Sequence, residues 1–202
     1  MASWPLILAS GSPYRRKMLE AAGLAFRVVP ADVDEAALKR SLASRTPKPA
    51  PAAIADVLAR VKAQSVSVRH ASATVIGADQ ILEHAGELLD KPGNLAAARA
   101  QLERLRGETH RLISAVVLAE EGQVVWGHID EAVLTMRPFT PEFLDRYLAA
   151  AGADLCRIVG AYEIEGLGIQ LFERVEGDHF TIIGLPLVPL LAELRSRGVI
   201  AA

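Results

Sequence analysis

Cysteine is nearly absent: Cys156 is the only one among 202 residues, so no internal disulfide can form. The five histidines (His70, His84, His110, His128 and His179) are scattered and none stands at zinc-ligand spacing from Cys156, which excludes a structural zinc site. Neither charge sign is in excess. With 22 Lys and Arg against 24 Asp and Glu, the formal net charge is −2. This removes any general electrostatic case for nucleic acid or a membrane surface as partner, since both need a basic face. No apolar run approaches the roughly 20 residues that span a bilayer, and Leu6-Ile7-Leu8 is preceded by no positive charge, so a cytoplasmic protein is expected. Internal repeats and low-complexity segments are also missing.

What is there is ordinary for a folded chain. Hydrophobic residues make up 51% and charged residues 23%, which excludes global disorder. A chain of this length can bury about 70% of the surface its unfolded form exposes. One domain covering residues 1–202, with two lobes and no separable linker, is the expected organisation.

Patterning predicts the elements. Leu6 to Ala9 is a short apolar strand, and Ser12 then Pro13 supply an N-cap and a first helical position for a helix to about Ala22, with Gly23 as its C-terminal stop. Met18, Leu19 and Ala22 form its expected core face. Phe26 to Val29 is a second strand, and Arg45 to Pro51, with three prolines in seven residues, is a surface loop. Ile54, Val57, Leu58 and Val61 recur at helical spacing over about Ala52 to Val68, and Thr74 to Ala78 is an apolar strand expected to end at Asp79. Asn94 caps a helix with Leu95, Ala98, Leu102 and Leu105 inward. Arg111 to Ala119 and Val124 to Arg137 flank Glu120-Glu121-Gly122, a hairpin signal, so the sheet is mixed. Phe143, Leu144, Tyr147 and Leu148 mark a further helix, and Leu187 to Arg195 a last one.

Three features carry chemistry. Arg15 and Arg16 sit in the first turn of the helix that Ser12 caps, where a cation opposes the helix dipole at roughly a few tenths of a kcal/mol. Ser10, Gly11 and Ser12 offer hydroxyls and backbone N–H groups at the same helix start, so the loop can cradle phosphate, with arginine as a bidentate fork. Solvated surface arginines are the other reading. It is not a Walker A loop, because the spaced glycines and the Gly-Lys-Ser/Thr ending are missing.

Second, Asp32, Asp34 and Glu35 follow the second strand, and Asp79 follows another. A divalent cation is commonly held by a few carboxylates plus substrate phosphate oxygens, and an aspartate beside it can deprotonate a water. The other reading of Asp32 to Glu35 is a solvated loop, whereas Asp79 follows an apolar run and would be costly if buried unpaired. Third, Lys91 before Pro92 is either a surface lysine or an ammonium returned to the same sheet end to neutralise phosphate charge. Outside these, Cys156 is read as a small buried residue, His110 as orienting backbone near the sheet, and His179 as a loop residue.

Together these residues resemble the Maf family, septum-formation-inhibitor-like nucleotide pyrophosphatases. The resemblance rests on Leu-Ala-Ser-Gly-Ser-Pro-x-Arg-Arg (Leu8 to Arg16), Asp34-Glu35, Lys62-Ala63, Gly77-Ala78-Asp79, Lys91-Pro92, Gly107-x-Thr-His, Gly160-Ala161-Tyr162 and Gly184-Leu185-Pro186-Leu187, in that order. It implies a Maf/ITPase-like α/β fold, a mixed, twisted sheet with two lobes around a central nucleotide-binding cleft. It further implies cleavage of a nucleoside triphosphate between the α and β phosphates with Mg or Mn, and a homodimer. Carried onto this chain, Asp79 becomes the proton acceptor, Glu35 a metal or water-positioning carboxylate with Asp79, and Ser10, Ser12, Arg15, Lys62 and Lys91 phosphate contacts.

Departures from the pattern bear on the substrate. Members resembling thymidine and uridine triphosphate pyrophosphatases carry Arg, Thr and Gln where this chain has Tyr14, Gln80 and Glu165. Gly-Ala-Asp-Gln, Glu-Gly-x-Gly-Ile and Leu-Phe-Glu-Arg resemble the branch acting on 7-methyl-GTP instead. N7 methylation makes guanine cationic, and a Tyr14 ring stacked on it gains about 0.5–2 kcal/mol. An ionised Glu165 accepts from the adjacent N–H and NH₂ donors of guanine, a bidentate contact that discriminates by about 1–3 kcal/mol. A dTTP/UTP-type or general nucleotide pyrophosphatase is the alternative within the class. A non-catalytic nucleotide sensor in cell division is the alternative outside it.

Overall fold

The computed structural model describes residues 5–201, so the first four residues of the expected N-terminal segment, and residue 202, lie outside the described residues. The fold is mixed α/β. Seven strands form one sheet in the order β2-β1-β3-β5-β6-β7, with β4 paired to β3. They are β1 (Leu6–Leu8), β2 (Phe26–Val28), β3 (Thr74–His84), β4 (Glu87–Leu89), β5 (Thr109–Glu120), β6 (Gln123–Met136) and β7 (Phe172–Glu176). The helices are α1 (Pro13–Ala21), α2 (Glu35–Ala43), α3 (Pro51–Ser67), α4 (Leu95–Leu105), α5 (Pro141–Ala151), α6 (His179–Ile183) and α7 (Leu187–Ser196). Among the described residues no helix is long and apolar enough to cross a membrane.

The chain divides into two compact units. The first holds the residues up to Gln80, Ile113–Asp130, and those from His179 on. In it β1 pairs in parallel with β2 (Leu6↔Phe26) and with β3 (Leu6↔Thr74, Leu8↔Ile76). Parallel strands covered by helices are continuously apolar, and Leu6, Ile7, Leu8, Val75 and Ile76 are all buried. Met18 and Leu19 of α1 and Leu187, Leu190 and Leu194 of α7 pack into the same core.

The second unit comprises Ile81–Leu112 and Glu131–Asp178. There the far end of β3 turns back antiparallel into β4 (Leu82↔Leu89, His84↔Glu87). The turn Ala85-Gly86 has both residues at positive φ, 51° and 82°, which suits the twist of a two-residue hairpin. β7 lies antiparallel on β6 (Val133↔Glu176). The buried ring of His110 meets the Tyr162 hydroxyl through Nε2 at 2.8 Å, and the Tyr147 hydroxyl donates to the carbonyl of Ala161 at 3.1 Å.

Several expectations are corrected. The strand does not end at Asp79; it runs on to His84, because Ile81 and Leu82 keep both faces of β3 covered. The second half of β3 and β4 therefore form a hairpin. Of the acidic cluster, exposed Asp32 does lie in the loop after β2, whereas Asp34 caps α2, accepting from the Ala37 amide at 2.8 Å, and Glu35 opens that helix. Ala22 and Leu95 are exposed, lying at a helix C-cap and a first turn, while Val57 and Val61 are half-buried. His179 opens α6 instead of lying in a loop, and His110 serves a side-chain hydroxyl. The expected hairpin, helix caps and buried Cys156 are found.

His110 generates a pH prediction. Burial disfavours its charged form, and His84 adds to this, so its pKa falls from 6.5 to about 4. A depressed pKa means the folded state holds the ring neutral. The stability this contributes is complete above the unfolded value and is lost as pH falls from 6.5 towards 4, by up to about 3 kcal/mol. Urea titrations across pH 4–7 should show His110→Gln losing less stability on acidification than the parent chain. Parallel curves for the two proteins would refute it.

Candidate active site

The site is built in the first unit on three pieces of backbone: the turn between β1 and α1, the start of α2, and the middle of β3 facing α3. At the turn, Ser12 caps α1, its Oγ accepting from the Arg15 amide at 3.4 Å, and Pro13 occupies the first helical position. Ser10 Oγ accepts from the Ser12 amide at 3.2 Å, which folds the loop back on itself. Nothing lies within 4 Å of a Cβ built on Gly11, so the outer side of this turn is open.

The two arginines part company. Arg16 is exposed and pairs with Glu20 at 2.7 Å, as a solvated helix residue does. Arg15 is buried: its Nε donates to the Gly184 carbonyl at 2.8 Å, and its Nη1 to the Ala78 carbonyl at 2.9 Å and Ser10 Oγ at 3.2 Å. Burial pulls its pKa below the usual arginine value, opposed by the negative charges of Asp79 and Glu35. Arg15 thus joins the turn after β1, the residue before Asp79, and the turn after α6.

Asp79 sits in β3 two residues after Gly77, and period two puts both on the face that α3 covers. A Cβ added at Gly77 would fall 2.4 Å from the Ala59 carbonyl oxygen and 2.7 Å from the Ala63 Cβ. Helix and strand are therefore in near backbone contact, allowed only by Gly77, Ala59 and Ala63. Lys62 lies beside Ala63 on the buried stripe of α3. Its Nζ donates to Asp79 Oδ1 at 2.6 Å and pairs with Glu35 Oε1 at 2.9 Å. Lys62 is 7% and Asp79 5% exposed, so the pair is nearly dry, whereas Glu35 is exposed. Asp79 Oδ2 is buried with no hydrogen-bond partner among the described residues.

The remaining candidates fall elsewhere. Gln80 is half-buried and donates from Nε2 to the carbonyls of Thr181 (3.1 Å) and Ile182 (2.9 Å) and to Ser114 Oγ (3.2 Å), fixing α6 to β3 and β5. Tyr14 is half-buried in the first turn of α1. Lys91 and Glu165 belong to the second unit and are exposed, Lys91 after β4 and Glu165 in a turn closed by the Gly166 amide on the Glu163 carbonyl at 3.1 Å. Sequence reasoning missed Ser114, Thr181 and the carbonyl of Gly184 as supports. The punctuation Gly184-Leu185-Pro186 was their only signal.

Among the described residues no group of three or more His, Cys, Asp or Glu forms a metal cage. Asp79 and Glu35 nevertheless suit a hard divalent cation, since Mg²⁺ takes one or two carboxylates and draws its other ligands from phosphate and water. The unpartnered Oδ2 of Asp79 is the kind of buried acceptor such a cation satisfies.

The family model described as Maf-like protein matches residues 5–197. The chain is 52% identical over 195 residues to the 7-methyl-GTP pyrophosphatase of Mesorhizobium japonicum, covering 96% of this chain and 97% of that one. It is 54% identical over 192 residues to the nucleoside triphosphate pyrophosphatase of Paramagnetospirillum magneticum, covering 95% and 98%. To the nucleoside triphosphate pyrophosphatase of Caulobacter vibrioides it is 48% identical over 200 residues, covering 99% of both.

Removing one partner of a dry ion pair strands the other. Lys62→Met is expected to destabilise the protein by about 3–5 kcal/mol in chemical denaturation, and adding Asp79→Asn to it should recover about half of that or more. A cost for Lys62→Met below about 1 kcal/mol, the range of an exposed pair, would contradict this account of the site.

Proposed function

The chain belongs to the Maf family, and from that premise we propose that it hydrolyses a nucleoside triphosphate between the α and β phosphates, with 7-methyl-GTP as its substrate. The observation that carries the proposal is the buried carboxylate of Asp79, held at one oxygen by Lys62 and unpartnered at the other. A structural carboxylate would have both oxygens satisfied. The names of relatives about half identical to this chain point to the same chemistry and, at Mesorhizobium japonicum, to the same substrate.

In this reading Asp79 accepts the proton of a water that attacks the α phosphorus. The bond to the bridging oxygen breaks, and pyrophosphate leaves with the electron pair. Glu35 and Asp79 would hold Mg²⁺ or Mn²⁺, which when bound lowers the pKa of water and offsets charge on the phosphates. Ser10, Ser12 and the open amide side of the Gly11 turn receive phosphate oxygens at the positive end of α1. Arg15 supports this cradle from below through Ser10, and its burial keeps the guanidinium from swinging into solvent. Lys62 and Lys91 are assigned to the phosphate chain as cations.

Base selection is assigned by chemistry. Tyr14 stacks on the cationic methylated ring, Glu165 accepts from the guanine N–H and NH₂ groups, and Gln80, which ties α6 to β3 through the Thr181 and Ile182 carbonyls, is assigned to specificity with them. The broader names carried by the Paramagnetospirillum magneticum and Caulobacter vibrioides relatives favour a wider nucleotide range as the second reading.

Purified protein incubated with Mg²⁺ and 7-methyl-GTP should release pyrophosphate, faster than from GTP, dTTP or UTP. No release from 7-methyl-GTP sinks the proposal, and equal rates across the panel establish the wider range instead. Asp79→Asn should lower kcat by about 10²–10⁴ with nucleotide affinity retained. Tyr14→Ala should cut the preference for 7-methyl-GTP over GTP by about 2- to 30-fold, the equivalent of the stacking energy. An unchanged ratio would remove Tyr14 from base recognition.

A further inference from the structure

Lys62 has partners of its own before any phosphate arrives. Its ammonium is turned into the protein, 2.6 Å from Asp79 and 2.9 Å from Glu35, with only 7% of the residue exposed. Those are the two carboxylates to which the proposed function assigns a divalent cation. The inference therefore rests on that assignment, though not on the identity of the base. Two carboxylates brought to one ammonium repel each other, and some positive charge must stand between them whenever the site is empty of substrate. Arg15 gives its Nε and Nη1 to the Gly184 and Ala78 carbonyls and Ser10 Oγ, whereas the Lys62 ammonium is in direct contact with both carboxylates. Lysine can leave such a seat: its charge is compact and sits on a flexible four-carbon stem.

We propose that Lys62 is the resident counter-ion of the Asp79–Glu35 pair, and that it makes metal binding conditional on a triphosphate. With the ammonium in contact with both carboxylates, a divalent cation entering alone meets a like charge at contact distance. A polyphosphate offers the ammonium new acceptors, drawing Nζ away and opening Asp79 Oδ1 and Glu35 Oε1 to the cation that arrives with it. The exposure of Glu35 leaves that side of the pair accessible, and the unpartnered Asp79 Oδ2 provides a further oxygen. The protein would then hold no metal between turnovers, and free metal would not inhibit by occupying the site in advance.

The test measures Mn²⁺ binding without nucleotide, from the electron paramagnetic resonance signal of the free aquo ion. Lys62→Met should bind Mn²⁺ about ten- to a hundredfold more tightly than the parent protein, the expected effect of removing one adjacent like charge. Equal or weaker binding by a folded Lys62→Met overturns the proposal. Because this variant is destabilised, a second measurement uses the parent chain labelled with ¹⁵N, following the lysine ammonium resonance that is lost or displaced in Asp79→Asn. Mg²⁺ alone should leave that resonance in place, and Mg²⁺ with inorganic triphosphate should move it. A resonance displaced by Mg²⁺ alone, or unmoved by both together, refutes the counter-ion role. Neither measurement needs turnover, so an inactive protein that passes them would sink the assigned reaction while leaving this inference intact.

Discussion

The contact between Lys62 and Asp79 is the constraint around which the first unit is arranged. Both charges are almost fully removed from water at 2.6 Å. Desolvating two ions costs several kcal/mol each, and replacing such a pair by well-packed apolar residues is often neutral or stabilising. Folding alone therefore gives no reason to keep it. A carboxylate that must later take a proton, however, has to be held in one orientation before substrate arrives, and an ammonium at one oxygen does this. The close approach of α3 to β3 follows from this need. Gly77, Ala59 and Ala63 remove the side chains that would separate the two backbones, which lets the four-carbon stem of Lys62 end at Asp79.

Arg15 answers the anomaly that the sequence presents. Two cations at a helix start oppose the dipole, and a bound anion is the obvious compensation. Instead Arg15 is compensated internally, by two carbonyls, a hydroxyl and the negative field of Asp79 and Glu35, while Arg16 is compensated by Glu20. In the proposed reading the phosphate cradle is then the Ser10-Gly11-Ser12 turn itself, stiffened from within by Arg15. Gly184, at φ 109°, completes the arrangement: a Cβ there would lie 3.3 Å from Gln80 Oε1 and 3.6 Å from Arg15 Nη2, so two side chains from different elements converge on one glycine.

Much of this was legible from periodicity and punctuation. β1, α1, α3, α4 and the β5–β6 hairpin lie within a few residues of their predicted limits because each has a cap, proline or glycine at its boundary and an apolar stripe of the right period. What escaped has a common cause. α2 has only Leu42 fully buried, too thin a stripe to register against a run of acidic residues. β3 was cut short at Asp79 because a polar residue inside an apolar run looks like an end, and β4 and β7 are three and five residues long, with no fully buried residue in either. The mixed α/β class was read correctly, from the coexistence of crossover helices and one tight hairpin.

The site shows the same division between local and non-local information. Ser12 as cap and Ser10 as loop hydroxyl follow from neighbours three to five residues away. Asp79 was singled out because burial was inferable from the residues before it. Lys62 carried no such signal, since a lysine at the edge of a helical stripe is usually solvated; only its partner, 17 residues later in β3, gives it meaning. The inference can be run in the other direction. Once α3 and β3 are known to touch through glycine and alanine, any charged residue adjoining that contact must be buried, and a buried charge needs an opposite one on the facing element. Lys62 beside Ala63 and Asp79 two residues past Gly77 are the charged pair those positions allow. In this chain the small residues that look like mere packing are what disclose where the chemistry sits.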